Sequence, residues 1–158
     1  NRRFDFGLTE TGLVFMFIGI VAAIVQGGLV HRITARVGEW PVLRAGLWLT
    51  AGSLILLGLV TELWALFPIL AVLAVGSGFT FPTISAIISQ RAPAGDQGSI
   101  LGVLASAGGL ARLLAPIGAT ILFQSVGIGS PLIIGGLLFV LCGVIAATPL
   151  VRRPAAAS

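Results

Sequence analysis

One charged side chain, Arg112, lies in the middle of a long apolar segment. It is 14 residues after Gly98 and 12 before Gln124, about 20 Å from either end of a helix. A guanidinium so deep in a bilayer normally faces a bundle interior or a water cavity, where it binds a partner. The five acidic residues all lie near segment ends. The partner of Arg112 is therefore expected to be a residue outside this sequence, a cluster of backbone carbonyls, cavity water or an anionic group of a substrate. The alternative, with equal weight, is an arginine with a purely structural role.

The segment GSGFTFPT, residues 76–83, is a second candidate site. Glycine and proline inside an apolar helix predict a broken helix, which is tolerated in a membrane where neighbours or a cavity satisfy the freed backbone groups. Phe79, Thr80 and Thr83 are then candidates to line a substrate cavity. The alternative is a kinked packing helix whose threonines bond to their own backbone. Gln26 leaves a similar choice between a ligand contact and a hydrogen bond between helices.

Most other chemistry has few residues to carry it. Lysine is absent, so no phosphate-binding loop ending in Lys and Ser or Thr can form. One histidine, His31, and one cysteine, Cys142, offer no metal cluster, catalytic triad or intrachain disulfide. No metal or other cofactor is predicted, and an enzyme is disfavoured unless turnover depends on His31 or Asp96. The arginines sit beside apolar runs instead of forming a basic face, which argues against nucleic acid.

These residues must be positioned by helices in a lipid bilayer. Hydrophobic residues make up 57% of the 158 and charged residues only 9%, against about a quarter charged in a soluble domain. Because about 20 apolar residues cross the hydrocarbon core, the charge-free intervals predict an all-α transmembrane bundle of five spans. The predicted spans are 11–30, 41–60, the charge-free interval between Glu62 and Arg91, 98–124 with Arg112 inside it, and a fifth that follows a turn at 125–131 and ends at 151.

The arginines predict the orientation of the spans. Six of them (Arg32, Arg36, Arg44, Arg91, Arg152 and Arg153) fall on one side if the spans alternate. That side is expected to be cytoplasmic. Residues 1–10 are then an external loop, residues 11–151 the bundle and residues 152–158 a cytoplasmic tail, in the cytoplasmic (inner) membrane of a bacterium. The sequence begins with Asn1, and its one methionine, Met16, is internal, so we expect a fragment of a longer chain.

The fourth span has a face of small residues. Steps of four and three from Gly98 reach Gly102, Ala105, Gly109, Arg112 and Pro116. Small residues let membrane helices approach closely, so Gly98, Gly102, Gly109 and Pro116 predict a helix-packing surface. That surface either forms a tight contact only or also borders a polar cavity beside Arg112.

Two patterns resemble the major facilitator superfamily. Residues 26–33 (QGGLVHRI) with Arg36, Val37, Gly38, Glu39 and Leu43 resemble the loop between the eighth and ninth helices of its drug:proton antiporters of the tetracycline-efflux type. Gln97, Gly98, Gly102, Ser106, Arg112, Ala115 and Pro116 resemble the eleventh helix, and Phe6, Gly7 and Gly12 the external loop before the eighth. The chain would then hold helices eight to twelve of a twelve-helix fold.

The resemblance implies a secondary transporter that moves a small, amphipathic, drug-like molecule by alternating access, coupled to protons. Its partners would be the lipid bilayer, the missing N-terminal half of the same chain, the substrate and protons. Gly28, Arg32, Arg36 and Gly38 would form a gating loop. His31 stands where the family's first-half loop has an aspartate, and Ala115 where a glycine is common. A non-transporting membrane scaffold or assembly subunit is the alternative.

Overall fold

The computed structural model describes residues 8–24, 27–28, 30–93 and 95–148. Within these ranges all regular structure is helical, as predicted. The six helices are α1 (Leu8–Ile24), α2 (Val30–Val37), α3 (Glu39–Leu59), α4 (Leu63–Arg91), α5 (Gln97–Ser125) and α6 (Ser130–Ala147). Five of them correspond to the five predicted spans, and α2 is a short helix in the loop after the first.

Four helices are long and apolar enough to cross a bilayer. These are Glu39–Leu59, Trp64–Arg91, Gln97–Ser125 and Ser130–Ala147. In α1 the apolar part is shorter, Phe15–Ile24, and residues 25, 26 and 29 lie outside the described ranges. The charges at the ends of the apolar runs therefore locate the spans, because a charge inside lipid is unfavourable.

Glycine and proline fix the start of α3. Gly38 has a φ of +84°, a left-handed conformation that glycine adopts without strain. Its N–H donates to the Thr34 carbonyl at 2.8 Å and ends α2. Pro41 lies in the first turn of α3, where no intrahelical donor is lost. The turn at Gly38 thus sets the direction in which α3 leaves α2.

The broken helix predicted for α4 is wrong, whereas the alternative, a packing helix whose threonines bond to their own backbone, agrees with the structure: one continuous helix of 29 residues contains both Pro68 and Pro82. An interior proline removes one N–H donor and crowds the carbonyl four residues before it, yet the helix continues on both sides of Pro68 and Pro82. The hydroxyls nearby add bonds to the same backbone, from Thr80 Oγ1 to the Gly76 carbonyl at 2.9 Å and from Thr83 Oγ1 to the Phe79 carbonyl at 2.6 Å. The residues of GSGFTFPT therefore share one helix and are distributed around its faces.

Helix α3 is the centre of the bundle, packed between α4 and α6. Its buried residues include Val42, Leu47 and Ala51. Helix α1 lies against α4, where the Phe17 and Phe67 rings meet edge to face with centroids 5.8 Å apart. Helix α5 contacts α4 and α6 only sparsely, and none of its residues is buried.

Glycines bring these central helices together. A Cβ built on Gly46 of α3 would lie 2.8 Å from Thr80 Oγ1 and 3.0 Å from the Gly76 carbonyl oxygen of α4. One built on Gly136 of α6 would lie 3.0 Å from the Ala51 carbonyl oxygen. We call the first of these contacts the α3–α4 interface. Without side chains at these points the backbones approach closely, as membrane helices do where small residues meet.

Candidate substrate cavity

A cavity of about 480 Å³ lies between α2 and α4. Its volume is typical of sites for small molecules. Helix α2 contributes one wall and α4, between Ser77 and Ala86, contributes the other. The lining residues are Val30, His31, Thr34, Ser77, Phe81, Pro82, Thr83 and Ala86. We call this the α2–α4 cavity.

Three hydroxyls, the imidazole of His31 and the ring of Phe81 give this cavity its chemistry. Thr83 is 2% exposed, and its hydroxyl already donates to the Phe79 carbonyl. The Ser77 hydroxyl bonds to the Ala74 carbonyl at 3.3 Å. Thr34 differs, because its Oγ1 is buried and has no hydrogen-bond partner in the part of the chain that the structure describes. A ligand with a polar group could pair with Thr34 and remove that unfavourable state.

Arg112 lies beside this cavity and not inside the bundle. The residue is exposed on α5. Its Cζ atom is 5.9 Å from the centre of the Phe81 ring, within the range of a cation–π contact. Phe81 lines the cavity and keeps 52% of its surface exposed. A guanidinium and an aromatic face thus adjoin one cavity wall.

The other predicted cavity residues lie elsewhere. Phe79 is 7% exposed and packs against Val42 in the core. Thr80 lines a different cavity, described below. Gln26 lies outside the described residues. Of the four predicted cavity residues that the structure describes, Thr83 lines the α2–α4 cavity and Arg112 lies next to it through its contact with Phe81.

Sequence reasoning passed over Ser77, Phe81 and Ala86 as lining residues. Ser77 and Phe81 are four residues apart and therefore share one face of a helix, and this was the available signal; Ala86 lies about 140° further around the helix from Phe81 and gave none. Phe79 and Phe81 are two residues apart, so they point about 200° apart around α4. If one of these rings faces the cavity, the other must therefore point away from it.

The predicted gating loop is largely helix α2. Arg32 and Arg36 are exposed on it, while Val30 and Ile33 pack against the cluster of Val42 and Phe79. This short helix is therefore attached to α3 and α4 by its apolar face. Gly38 ends it, as described above. At Gly28 an added Cβ would meet no atom within 4 Å.

The predicted packing face of α5 has no partner among the described residues. A Cβ built at Gly98, Gly102 or Gly109 would meet nothing within 4 Å. Like Arg112, Pro116 is exposed on this helix. The packing role of these residues stays a prediction.

A second cavity, of about 680 Å³, lies among the ends of α3, α4, α5 and α6. Its lining is apolar except for Thr80 and Cys142 within it and Arg91 at one end. We call it the apolar groove. The lining residues are Trp40, Leu43, Leu47, Thr80, Ile84, Ile87, Ile88, Arg91, Ala92, Ile100, Phe139, Cys142, Ile145 and Ala146.

Comparison with known proteins identifies the family. Residues 1–158 match the sequence profile of the Major Facilitator Superfamily. The chain belongs to the Major Facilitator Superfamily. This confirms the resemblance drawn from the loop after the first span and from the fourth span.

Tetracycline resistance proteins are among its similar relatives in the superfamily. The chain is 31% identical to the class G protein of Vibrio anguillarum over 99% of its own length and 39% of the relative's. It is 31% identical to the class C protein of Escherichia coli over 97% of its length and 38% of the relative's. Major facilitator superfamily domain-containing protein 10 of Mus musculus is 32% identical over 80% of the chain and 28% of that protein.

The chain thus spans about two fifths of the length of the tetracycline resistance proteins that it matches. No solved structure matches it significantly. As a Major Facilitator Superfamily chain with apolar spanning helices, it is an integral membrane protein.

Proposed function

We propose that this chain is the C-terminal part of a transporter that exports a small amphipathic molecule. The observation that carries the proposal is the similarity to tetracycline resistance proteins along 99% of the chain. The site supports it, because an aromatic face, hydroxyls and a cation adjoin one cavity. A planar apolar group of the substrate would stack on Phe81, and an anionic or carbonyl group would bind Arg112.

The geometry also supports a mechanism of alternating access. Helix α2 is attached by Ile33 and Val30 to the cluster that contains Phe79 of α4. A movement of α4 would therefore carry α2 with it, and the α2–α4 cavity would move with both. In transporters of this kind two halves rock about a central site. The unpartnered face of α5 would contact the half that lies outside this sequence.

Proton coupling requires an acid that this sequence does not place near Arg112. The acids in the described part of the chain all stand at the starts of helices, at Glu10, Glu39, Glu62 and Asp96. A carboxylate from the other half, facing α5, would pair with Arg112; when it takes up a proton the pair breaks, and the arginine is released to bind an anionic group of the substrate. The guanidinium of Arg112 would thereby bind either the carboxylate or the substrate, depending on whether the carboxylate holds a proton.

The test is transport by the full-length protein in sealed everted vesicles. Arg112→Ala is expected to lower export about tenfold or more, since hydrogen bonds to charged groups contribute roughly 1.5–3 kcal/mol. Arg112→Lys retains the charge and should restore part of the activity. Gln124→Ala, also exposed on α5 but 12 residues away, is the matched control. Normal export by correctly inserted Arg112→Ala would overturn the role of Arg112.

A scaffold that only assembles with other membrane helices is a second candidate. It is favoured by α5, which is uncovered and has open space around Gly102 and Gly109. Reconstituted vesicles separate the two functions. A transporter gives substrate flux that depends on Phe81 and Arg112, whereas a scaffold gives none under any gradient.

A further inference from the structure

The apolar groove has the shape of a site for a lipid. It runs along α4 from Arg91 to Thr80, a distance of 11 residues or about 16 Å. The hydrocarbon core of a bilayer is roughly 30 Å thick, so the groove extends through the depth of one leaflet. The hydroxyl of Thr80, at the inner end of the groove, is already satisfied because it donates a hydrogen bond to the Gly76 carbonyl.

A single cation stands at one end of this groove. Arg91 is exposed in the last turn of α4, and its Cζ lies 5.1 Å from the centre of the Trp40 ring. The ring fixes the position of the guanidinium, which has five N–H donors and can therefore serve more than one partner. The neighbouring acid, Glu39, accepts a hydrogen bond from Gln90 Nε2 at 2.8 Å. Asp96 is exposed in the turn that follows α4.

We propose that the apolar groove binds an anionic phospholipid of the surrounding leaflet. One acyl chain lies along Ile84, Ile87 and Phe139, and the phosphate binds Arg91 beside Trp40. The fit is one of charge and length: the phosphate meets the guanidinium of Arg91, which lines the groove, while the neighbouring Glu39 is held by Gln90, and an acyl chain one leaflet long matches the depth of the groove. Basic pockets between membrane helices on the cytoplasmic side recognise anionic headgroups in this way.

This inference needs only that the chain lies in a membrane, and it does not depend on transport. A neutral lipid would gain the same apolar contacts but no bond to Arg91. Since charge-assisted hydrogen bonds contribute roughly 1.5–3 kcal/mol, the preference for the anionic lipid should be about tenfold or more.

Native mass spectrometry of the full-length protein tests the proposal. The protein is equilibrated with equal amounts of phosphatidylglycerol and phosphatidylcholine, and the retained lipids are counted. We expect one tightly retained phosphatidylglycerol, lost about tenfold in Arg91→Gln and largely kept in Arg91→Lys. Arg36→Gln, which removes an exposed arginine outside the groove, is the matched control and should retain it. Equal retention of both lipids, or equal loss in Arg36→Gln and Arg91→Gln, would overturn the proposal.

A second measurement distinguishes binding of the acyl chain in the groove from binding of the headgroup at Arg91. Cys142 lies in the wall of the groove and serves as a reporter when cysteines outside these 158 residues are replaced by serine. A bound acyl chain should slow its alkylation by N-ethylmaleimide several-fold in phosphatidylglycerol vesicles relative to phosphatidylcholine vesicles. Ile87→Trp fills the groove but keeps Arg91, and should abolish the retained lipid. Ile84→Phe provides the same test if Ile87→Trp does not fold. Alkylation that is indifferent to the lipid would refute the preference for an anionic headgroup, and retention in both filled variants would refute an acyl chain in the groove.

Discussion

Replacing Gly46 by alanine measures how closely α3 and α4 must approach. The added methyl group would lie 2.8 Å from Thr80 Oγ1, 3.0 Å from the Gly76 carbonyl oxygen and 3.1 Å from Phe79 Cβ. The carbonyl belongs to the α4 backbone and cannot rotate away. The helices must therefore separate by several tenths of an ångström. Overpacking of this kind destabilises a protein by about 1–3 kcal/mol.

Alanine also favours the helical state over glycine, by up to about 1 kcal/mol. Gly52→Ala on the same helix isolates the packing contribution, because an added Cβ at Gly52 would meet nothing within 4 Å. Both variants share the backbone effect. The difference between them should therefore be about 1–3 kcal/mol, with Gly46→Ala the less stable.

The assay is reversible unfolding of the full-length protein in mixed micelles of a mild detergent and sodium dodecyl sulfate. Each variant is titrated to its midpoint, and the two unfolding free energies are subtracted. Equal stability of Gly46→Ala and Gly52→Ala would refute the close approach of α3 and α4. A more stable Gly46→Ala would refute it more strongly.

Two further substitutions test the polar groups and the cavity wall. Thr50 is 2% exposed, and its Oγ1 has no hydrogen-bond partner among the described residues. Thr50→Val should therefore stabilise the protein by about 1 kcal/mol in the same unfolding assay. A loss of stability would contradict this and show that the hydroxyl makes a hydrogen bond. Phe81→Leu keeps the cavity wall apolar but removes the aromatic ring under Arg112. The KM for export should therefore rise several-fold with little change in stability. An unchanged KM would exclude stacking of the substrate on Phe81.

The sequence predicts the positions of the helices well because the bilayer imposes one simple requirement. Charges are excluded from its centre and about 20 residues cross it, so Glu62 and Arg91 delimit α4 to within a residue or two. The same requirement makes it difficult to predict from the sequence which faces of the helices pack together. Helices that are apolar on every side give no amphipathic signal to show which face is buried.

The contrast between Gly46 and Gly102 illustrates this loss of information. The regular small-residue face of α5 predicts contact, yet the structure leaves Gly102 open. Gly46 and Thr50 on α3, like Gly76 and Thr80 on α4, are spaced four residues apart, and these two pairs form the contact. Spacing within one helix shows that a close approach is possible, whereas the partner helix decides whether it occurs.

The α3–α4 interface has a consequence for both cavities. Helix α4 supplies Phe81 and Thr83 to the α2–α4 cavity and Ile84 and Arg91 to the apolar groove. It is therefore a wall shared by the two. Its position is set by contact with α3 at Gly46, so a substitution there should alter substrate and lipid binding together. Phe81 and Arg91 each line one cavity alone, and their variants should affect one ligand each.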